Sequence, residues 1–389
     1  MINFNDTKFA FAHLNNWELK KAFYLFSIIK HSYLVRLGSY LMNISFKWRL
    51  PIKILVKKTI FNHFCGGENI QDCSAKINNL FSFGIGTILD YSVEGKENDA
   101  DFENNKNEII QTILFASNNE KCPFSVFKIT GLGRSSLIQK ASQNINKLSN
   151  EEVTELNIIS NRVDEICQKA FENKVALFID AEDSWYQDFI DLQAEKMILK
   201  YNIDSAIVYN TIQLYRHDRL NYMKKLIKKC ENEQKFLGLK LVRGAYMEKE
   251  REEASKLNYN DPIHINKKAT DLDFKKALDY CIEKINLVSI CAGTHNELSV
   301  SYLVKLMKEK ELRKNDSRIW FAQLLGMSDH ISFNLSNLGY NVAKYVPYGP
   351  VKEVLPYLIR RAEENTSVGG QTGRELSLIK QEIKKRKLI

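Results

Sequence analysis

The chain has 389 residues and a formal net charge of +9, with 44% hydrophobic and 11% aromatic residues. That is enough apolar side chain for one large core or two smaller ones, and it excludes a disordered chain. The seven cysteines are scattered with no Cys-x-x-Cys, and the seven histidines form no clustered ligand set. A metal centre therefore has no support, and the thiols are expected to be reduced in an intracellular protein.

The charge is concentrated near the start. Between Glu18 and Glu68 there is no acidic residue, while Lys20, Lys21, Lys30, Arg36, Lys47, Arg49, Lys53, Lys57 and Lys58 all fall there. They equal the net charge in number, so the rest of the chain is balanced. The segment is also rich in Phe, Tyr, Leu and Ile, as in Ala22-Phe23-Tyr24-Leu25-Phe26-Ser27-Ile28-Ile29. This run is too short to span a bilayer, and His31-Ser32-Tyr33 makes a poor signal-peptide cleavage site. Residues 1–67 are expected to form a basic helical segment on or beside a main domain of residues 68–389. Two uses are open to it: helices packed on the domain with basic outer faces, or an amphipathic surface for an anionic membrane. Asp6 breaks any acid-free presequence, which favours a bacterial cytoplasmic location over a processed organellar one. Nucleic acid is not expected, because the charge does not sit on a nucleic-acid-binding motif.

Asn98 to Asn107 is polar and reads as a loop or a helix start. From about residue 84, short β-rich runs alternate with long amphipathic ones. The runs are 86–91, 125–130, 175–180, 206–210, 239–244, 287–292, 318–323 and 342–346. Eight mostly apolar strands separated by helix-length segments imply a parallel sheet covered by helices, and a (β/α)8 TIM-type barrel more than an open sheet. The runs end on Asp90, Lys128, Asp180, Asn210, Arg243, Thr294 with His295, Gln323 and Tyr345. In such a barrel the chemistry gathers at these strand ends.

The glycine pairs Gly84-Ile85-Gly86 and Gly131-Leu132-Gly133 fail the dinucleotide fingerprint, which needs a third glycine opening a helix. Asp180-Ala181-Glu182-Asp183 reads more readily as a cap with solvated loop acids than as a metal cluster. In Lys240-Leu241-Val242-Arg243-Gly244-Ala245-Tyr246, the two cations are either structural ion pairs at strand margins or groups aimed at a ligand. Ala292-Gly293-Thr294-His295-Asn296 is a strand end followed by three hydrogen-bonding side chains and a fresh helix start: either a helix N-cap, with Thr294 or Asn296 capping, or polar groups with a functional use.

At the C-terminal end, Tyr345-Val346-Pro347-Tyr348-Gly349-Pro350 reads as a turn followed by a helix. On that helix Tyr357, Arg360, Arg361 and Glu364 fall at i, i+3, i+4 and i+7, on one face. An exposed face of Arg–Glu pairs is the ordinary explanation. Adjacent arginines also suit planar, bidentate recognition of a carboxylate.

In order and spacing, six segments resemble the proline dehydrogenase family of the monofunctional type, over residue 65 to the C-terminus. They are Phe178-Ile179-Asp180-Ala181-Glu182, Asn210-Thr211-Ile212-Gln213, Lys240 to Tyr246, Gly293-Thr294-His295-Asn296-Glu297, Phe321-Ala322-Gln323-Leu324-Leu325-Gly326-Met327, and Tyr345 to Asn365. The resemblance implies a distorted barrel that holds FAD non-covalently, oxidises L-proline to Δ1-pyrroline-5-carboxylate and passes electrons to a membrane quinone, ubiquinone or menaquinone. Such an enzyme would sit in the cytoplasm, peripheral to the inner membrane (on the matrix side in a mitochondrion). It implies that Arg360, Arg361 and Lys128 hold the substrate carboxylate and that Glu364 pairs with this arginine cluster. By the same resemblance Tyr357, Tyr345, Leu241 and Tyr246 wall the ring, and Asp180 supports the cations by pairing with Lys128. Gln213, Lys240, Arg243, Ala245, Lys267, Thr294, His295, Asn296 and Gln323 would line the FAD path. Bifunctional relatives carry Arg at the position of Lys240 and Trp at that of Met247, a subtype difference. Tyr345 argues for proline, because relatives that prefer trans-4-hydroxyproline have a smaller residue there. Hydroxyproline dehydrogenase is the alternative within this chemistry. A catalytically inert barrel that binds membrane or nucleic acid is the alternative outside it.

Overall fold

The structure, a computed structural model, describes residues 2–47, 53–93, 97–367 and 371–388. Eight parallel strands follow one another round a closed barrel: β1 (Ile85–Tyr91), β2 (Phe124–Phe127), β3 (Ala176–Ile179), β4 (Val208–Gln213), β5 (Leu237–Val242), β6 (Val288–Gly293), β7 (Ile319–Leu324) and β8 (Val342–Tyr348). Before β1 come α1 (Thr7–Ala10), α2 (Asn16–Ile29), α3 (Ser32–Lys47), α4 (Lys53–Val56), a π-helical turn Lys57–Phe61, α5 (Asn62–Phe64) and α6 (Ser74–Ser82). Between β1 and β7 lie α7 (Asp99–Ser117), α8 (Ser135–Asn144), α9 (Asn150–Glu172), α10 (Ser184–Tyr201), α11 (Arg219–Asn232), α12 (Met247–Leu257), α13 (Lys267–Glu283) and α14 (Glu297–Glu309). Then come α15 (Asp329–Asn337), α16 (Leu355–Ser367) and α17 (Gln371–Lys385). The (β/α)8 expectation holds, with helices added at the N-terminus.

The chain divides into two compact units, Met1–Gly95 with Gln323–Ile389, and Lys96–Ala322. In the second unit the inner strand faces carry an aromatic layer. Phe124 stacks on Phe178 at 4.4 Å, and Tyr209 and Trp320 meet Phe124 edge-on at 5.7 and 5.3 Å. Burying each such ring is worth about 2–3 kcal/mol. Gly238 is required beside it, since a Cβ there would lie 2.4 Å from the Tyr209 ring. In the first unit β1 pairs with β8 from Ile85↔Val342 to Tyr91↔Tyr348. Two apolar clusters complete this unit. Leu19, Ala22 and Phe26 of α2 pack with Leu376, Ile379 and Ile383 of α17. Val56, Phe61 and Phe64 pack with Val354, Tyr357 and Leu358.

Two expectations change, and one open choice is decided. Asn98 caps α7, accepting from Asp101 N at 2.9 Å, so of the two readings of the polar 98–107 stretch the helix start is the one found. Asn210 is not a strand end: β4 runs on to Gln213, and Asn210 is fully buried, donating to Asp191 Oδ1 at 3.0 Å and Tyr222 Oη at 3.1 Å. A polar residue reads as a break in sequence, but a buried amide with partners sits within a strand. β8 likewise passes through Pro347, whose carbonyl accepts from Gly66 N at 2.8 Å, and Tyr345 stands mid-strand. The turn is confined to Gly349 and the residues after it, with Gly349 at φ +144°.

The basic N-terminal segment is less positive in space than in sequence. Lys53 and Lys57 both pair with Glu68, at 2.9 and 2.7 Å. The outer side of α2 and α3 exposes large apolar groups, with Trp17 69%, Tyr24 61%, Tyr33 73% and Tyr40 64% exposed. Lys47 lies in α3, but its side chain, like all of Arg49, is outside the described residues. Among the described residues no helix is long and apolar enough to cross a membrane.

Candidate functional site

The C-terminal ends of β2 to β5 bring together a set of charged and amide side chains. Strand alternation puts Phe178 and Asp180 on the same side, and on β5 it does the same for Lys240 and Val242. Asp180, one residue past β3, forms an ion pair with Lys240, whose ammonium also lies 5.5 Å from the Phe178 ring centroid. Lys240 is 6% exposed, and a cation that deep needs a countercharge. Leu241 is fully buried on the opposite face of β5 from Lys240. Lys128, half-buried, directly follows β2 and leads into the 3-10 turn Ile129–Leu132.

The reading of Asp180-Ala181-Glu182-Asp183 as solvated loop acids fails. Glu182 and Asp183 are each only 7% exposed. Asp183 precedes α10 but makes no side-chain cap, and pairs instead with Lys249 at 2.8 Å. Glu182 accepts from Thr130 N at 3.0 Å and from the Thr130 hydroxyl. Burial pushes its carboxyl up to about 7, against the pull of Lys128 and the Thr130 hydrogen bonds. The β4 end supplies Gln213, 2% exposed, whose Nε2 donates to the Glu182 carbonyl at 2.9 Å while its buried Oε1 has no partner. Among the described residues no three His, Cys, Asp or Glu side chains group to hold a metal ion.

Past β5, Arg243 is held on three sides. It donates to Asp271 Oδ1 from Nε at 2.9 Å and Nη2 at 2.8 Å, to Thr294 Oγ1 at 2.7 Å and to Ser299 Oγ at 2.8 Å. Its guanidinium also lies 4.5 Å from the Phe274 ring. Asp271 takes Lys267, at the start of α13, at 2.5 Å as well. Burial works against its charge, yet the hydrogen bonds from Lys267 and Arg243 hold its carboxyl below the usual range. Gly244 follows at φ +135°, where a Cβ would strike the Tyr215 ring at 2.4 Å. Ala245 is exposed, and Tyr246 is half-buried with its ring 5.9 Å from the Lys249 ammonium. After β6, Thr294 Oγ1 accepts from Asn296 N at 3.2 Å, and Asn296 caps α14 by accepting from Ser299 N at 3.0 Å. His295 between them is half-buried. The cap reading is therefore correct, and it leaves the N-termini of α13 and α14, with Arg243 and Lys267, as a positive, donor-rich set suited to a phosphate-bearing group.

In the other unit, Gln323 is 2% exposed and its Oε1 accepts from Ser332 Oγ at 2.8 Å. Tyr345 on β8 is 7% exposed. On α16 the exposed-helix explanation fails: Tyr357 is 6% and Arg361 7% exposed, and the Arg361 guanidinium lies 5.2 Å from the Tyr357 ring centroid. Arg360 is half-buried. The side chain of Glu364 is outside the described residues. Sequence reading missed Asp271, Ser299 and the burial of Glu182. Only the Lys267/Asp271 spacing of i, i+4 carried a signal for any of them.

Residues 73–374 match the family model described as Proline dehydrogenase. The chain is 31% identical to Proline dehydrogenase 1, mitochondrial, of Dictyostelium discoideum, over 98% of this chain and 74% of that protein. It is 32% identical to Proline dehydrogenase 1, mitochondrial, of Arabidopsis thaliana, over 85% of this chain and 75% of that protein. Among solved structures it resembles proline utilization A from Bdellovibrio bacteriovorus, inactivated by N-propargylglycine, with a TM-score of 0.73 and 17% identity. That match covers 93% of this chain but only 38% of the solved chain, and at this identity it bears on the fold alone.

Proposed function

Because this chain belongs to the proline dehydrogenase family, we propose that it oxidises L-proline to Δ1-pyrroline-5-carboxylate, with FAD held non-covalently and a membrane quinone as final acceptor. The observation that carries this reading is the inward face of α16. A helix that buries Arg361 against Tyr357, with Arg360 beside it, is suited to a small carboxylate rather than to solvent.

The residues present fit FAD. The buried, partnerless Oε1 of Gln213 offers an acceptor to an N–H group. Arg243, Lys267 and the starts of α13 and α14 offer positive charge to a pyrophosphate, with Thr294, His295, Asn296, Gln323 and Ala245 completing the proposed set. When bound, FAD supplies the acceptor for the hydride that leaves the ring carbon beside the nitrogen. The side chains of this chain orient and desolvate. Arg360, Arg361 and Lys128 are proposed to take the carboxylate, with Glu364 balancing the arginines. Tyr345, Tyr357 and Tyr246 are proposed to exclude water around the ring; Leu241, on the other face of β5 from Lys240, backs the strand instead, and Asp180 balances Lys240. Tyr345 is proposed to take up the space that a 4-hydroxyl would need, which would favour proline over hydroxyproline. The exposed apolar side of α2 and α3 supports peripheral contact with the inner membrane, where a quinone is met.

The purified protein is expected to be yellow and to bleach with L-proline in the absence of oxygen. A colourless preparation that takes up no FAD would overturn the reading. Arg361→Ala is expected to raise KM for proline by about tenfold or more with FAD content unchanged, and an unchanged KM would sink the carboxylate assignment. A higher kcat/KM for trans-4-hydroxyproline than for proline would reverse the inference from Tyr345.

A further inference from the structure

The 3-10 turn Ile129–Leu132, which Lys128 opens, is tied down at each of its last three residues. Asn105 of α7 donates to the Gly131 carbonyl at 2.7 Å, and Arg162 of α9 donates to the Leu132 carbonyl at 3.0 Å. The third tie is Glu182, whose two carboxylate oxygens are both taken by Thr130, one by its N–H and one by its hydroxyl. Glu182 is itself fixed by its backbone. Its N–H donates to Gln187 Oε1 of α10 at 3.0 Å, and its carbonyl accepts from Gln213 of β4 at 2.9 Å. One acidic residue thus joins the turn that carries Lys128 to the ends of β3 and β4.

A neutral side chain would serve for a purely structural tie. Among the described residues no Lys, Arg or His forms an ion pair with Glu182, and a buried carboxylate without a contacting cation is a burden on the fold. The charged groups that act on it are Lys128, which favours its ionised form, and Asp183, which opposes it. Retaining an acid at such a position points to a use for the charge.

We propose that Glu182 is a positioning residue for proline binding: by clamping Thr130 it fixes the turn that begins at Lys128, and its charge acts through space on the Lys128 ammonium where the substrate carboxylate arrives. The proposal rests on the assignment of Lys128 as a carboxylate-binding group. It makes proline binding depend on pH. Glu182 titrates at about 7, above the ordinary 4.5. As pH falls through that value the carboxyl gains a proton, its attraction for Lys128 ends and its hold on the Thr130 N–H weakens. The effect on stability has the opposite sense. The folded-state value is the higher one, so the burial penalty is absent below the unfolded value and complete above pH 7.

The test is steady-state kinetics with L-proline between about pH 6 and 9 on the FAD-loaded wild type, Glu182→Ala, Glu182→Gln, Thr130→Val and Lys128→Ala, with flavin content read from absorbance. KM of the wild type is expected to rise several-fold as pH falls through about 7. Glu182→Gln is expected to hold the acid-limb KM at every pH, and its melting temperature should exceed that of the wild type at pH 8 but not at pH 5. Glu182→Ala and Thr130→Val are expected to raise KM about tenfold, with kcat within about threefold and flavin retained. Should Glu182→Ala fail to fold, the pH profile of Glu182→Gln decides. A Lys128→Ala defect alongside wild-type binding and pH dependence in the Glu182 variants overturns this proposal alone. Wild-type binding in Lys128→Ala overturns the Lys128 assignment and this proposal with it.

Discussion

At the scale of single residues, the site is governed by how each buried charge is balanced. Lys240 and Asp180 neutralise each other at the ends of β5 and β3, and Arg243 and Lys267 share Asp271. The first pair is the more buried, with side chains 7% and 15% exposed, so its solvation loss is larger and its dependence on the partner stronger. Asp180→Ala is therefore expected to lower unfolding free energy by about 3 kcal/mol, because it removes the carboxylate that pairs with the buried Lys240 ammonium. Adding Lys240→Met should recover most of that loss, since removing both charges is far less harmful than removing one. Chemical denaturation of the single and double variants measures both effects. A single variant as stable as the wild type would show that Lys240 is not sequestered as its exposure implies.

At the scale of elements, one helix can serve two environments. On α16 the Tyr357 and Arg361 stripe is turned inward, while Pro356 and Glu363 of the same helix are exposed. On α3 the arrangement is reversed. Tyr33, Leu37, Tyr40 and Leu41 follow i, i+4, i+7 and i+8 and are 73%, 41%, 64% and 52% exposed, so an apolar stripe faces outward. Lys30 and Arg36 are exposed nearby. Polar replacement of Tyr33, Leu37 and Tyr40 by Ser is expected to reduce co-sedimentation with anionic liposomes by at least about tenfold, each side chain contributing on the order of 1 kcal/mol. Proline oxidation with a soluble acceptor should be unaffected. Liposome binding equal to that of the wild type would remove α3 from the proposed membrane contact. Lys53 and Lys57 are poorer targets than the bare sequence suggests, because Glu68 already neutralises them in part.

At the scale of the whole molecule, the seven cysteines report on the integrity of both compact units. Cys65 and Cys73 lie in one and Cys122, Cys167, Cys230, Cys281 and Cys291 in the other; all are free thiols and all are buried. Burial pushes the Cys230 thiol up to about 11 and the Cys122 thiol up to about 12, so almost no thiolate is present at neutral pH. An aromatic disulfide reagent is expected to titrate none of the seven promptly in the native protein and all of them in denaturant. Prompt reaction of two thiols would point to local opening of the first unit, and of five to opening of the second.

Much of this was legible in the sequence. The eight β-rich runs all became strands, because burial on both faces demands near-continuous apolar residues and this signal is local. Strand ends were less legible. Asn210 and Pro347 read as punctuation, yet Asp191 and Tyr222 satisfy the first, and the carbonyl of the second is used by Gly66. Lys128, Asp180, Gln213, Lys240, Arg243 and Arg361 could be named from motif order, since their identities and spacing are properties of the chain. Their partners could not. Asp271, Ser299 and Thr130 become neighbours of Arg243 and Glu182 only when distant segments converge on the strand ends, and charge balance depends on distance in space. The sequence by itself therefore determined the family, the barrel and most of the candidate residues. The tertiary structure decided which charges are neutralised, that Arg361 is buried, and that Glu182 is a buried clamp rather than a solvated acid, because desolvation exists only once the chain has folded around a group.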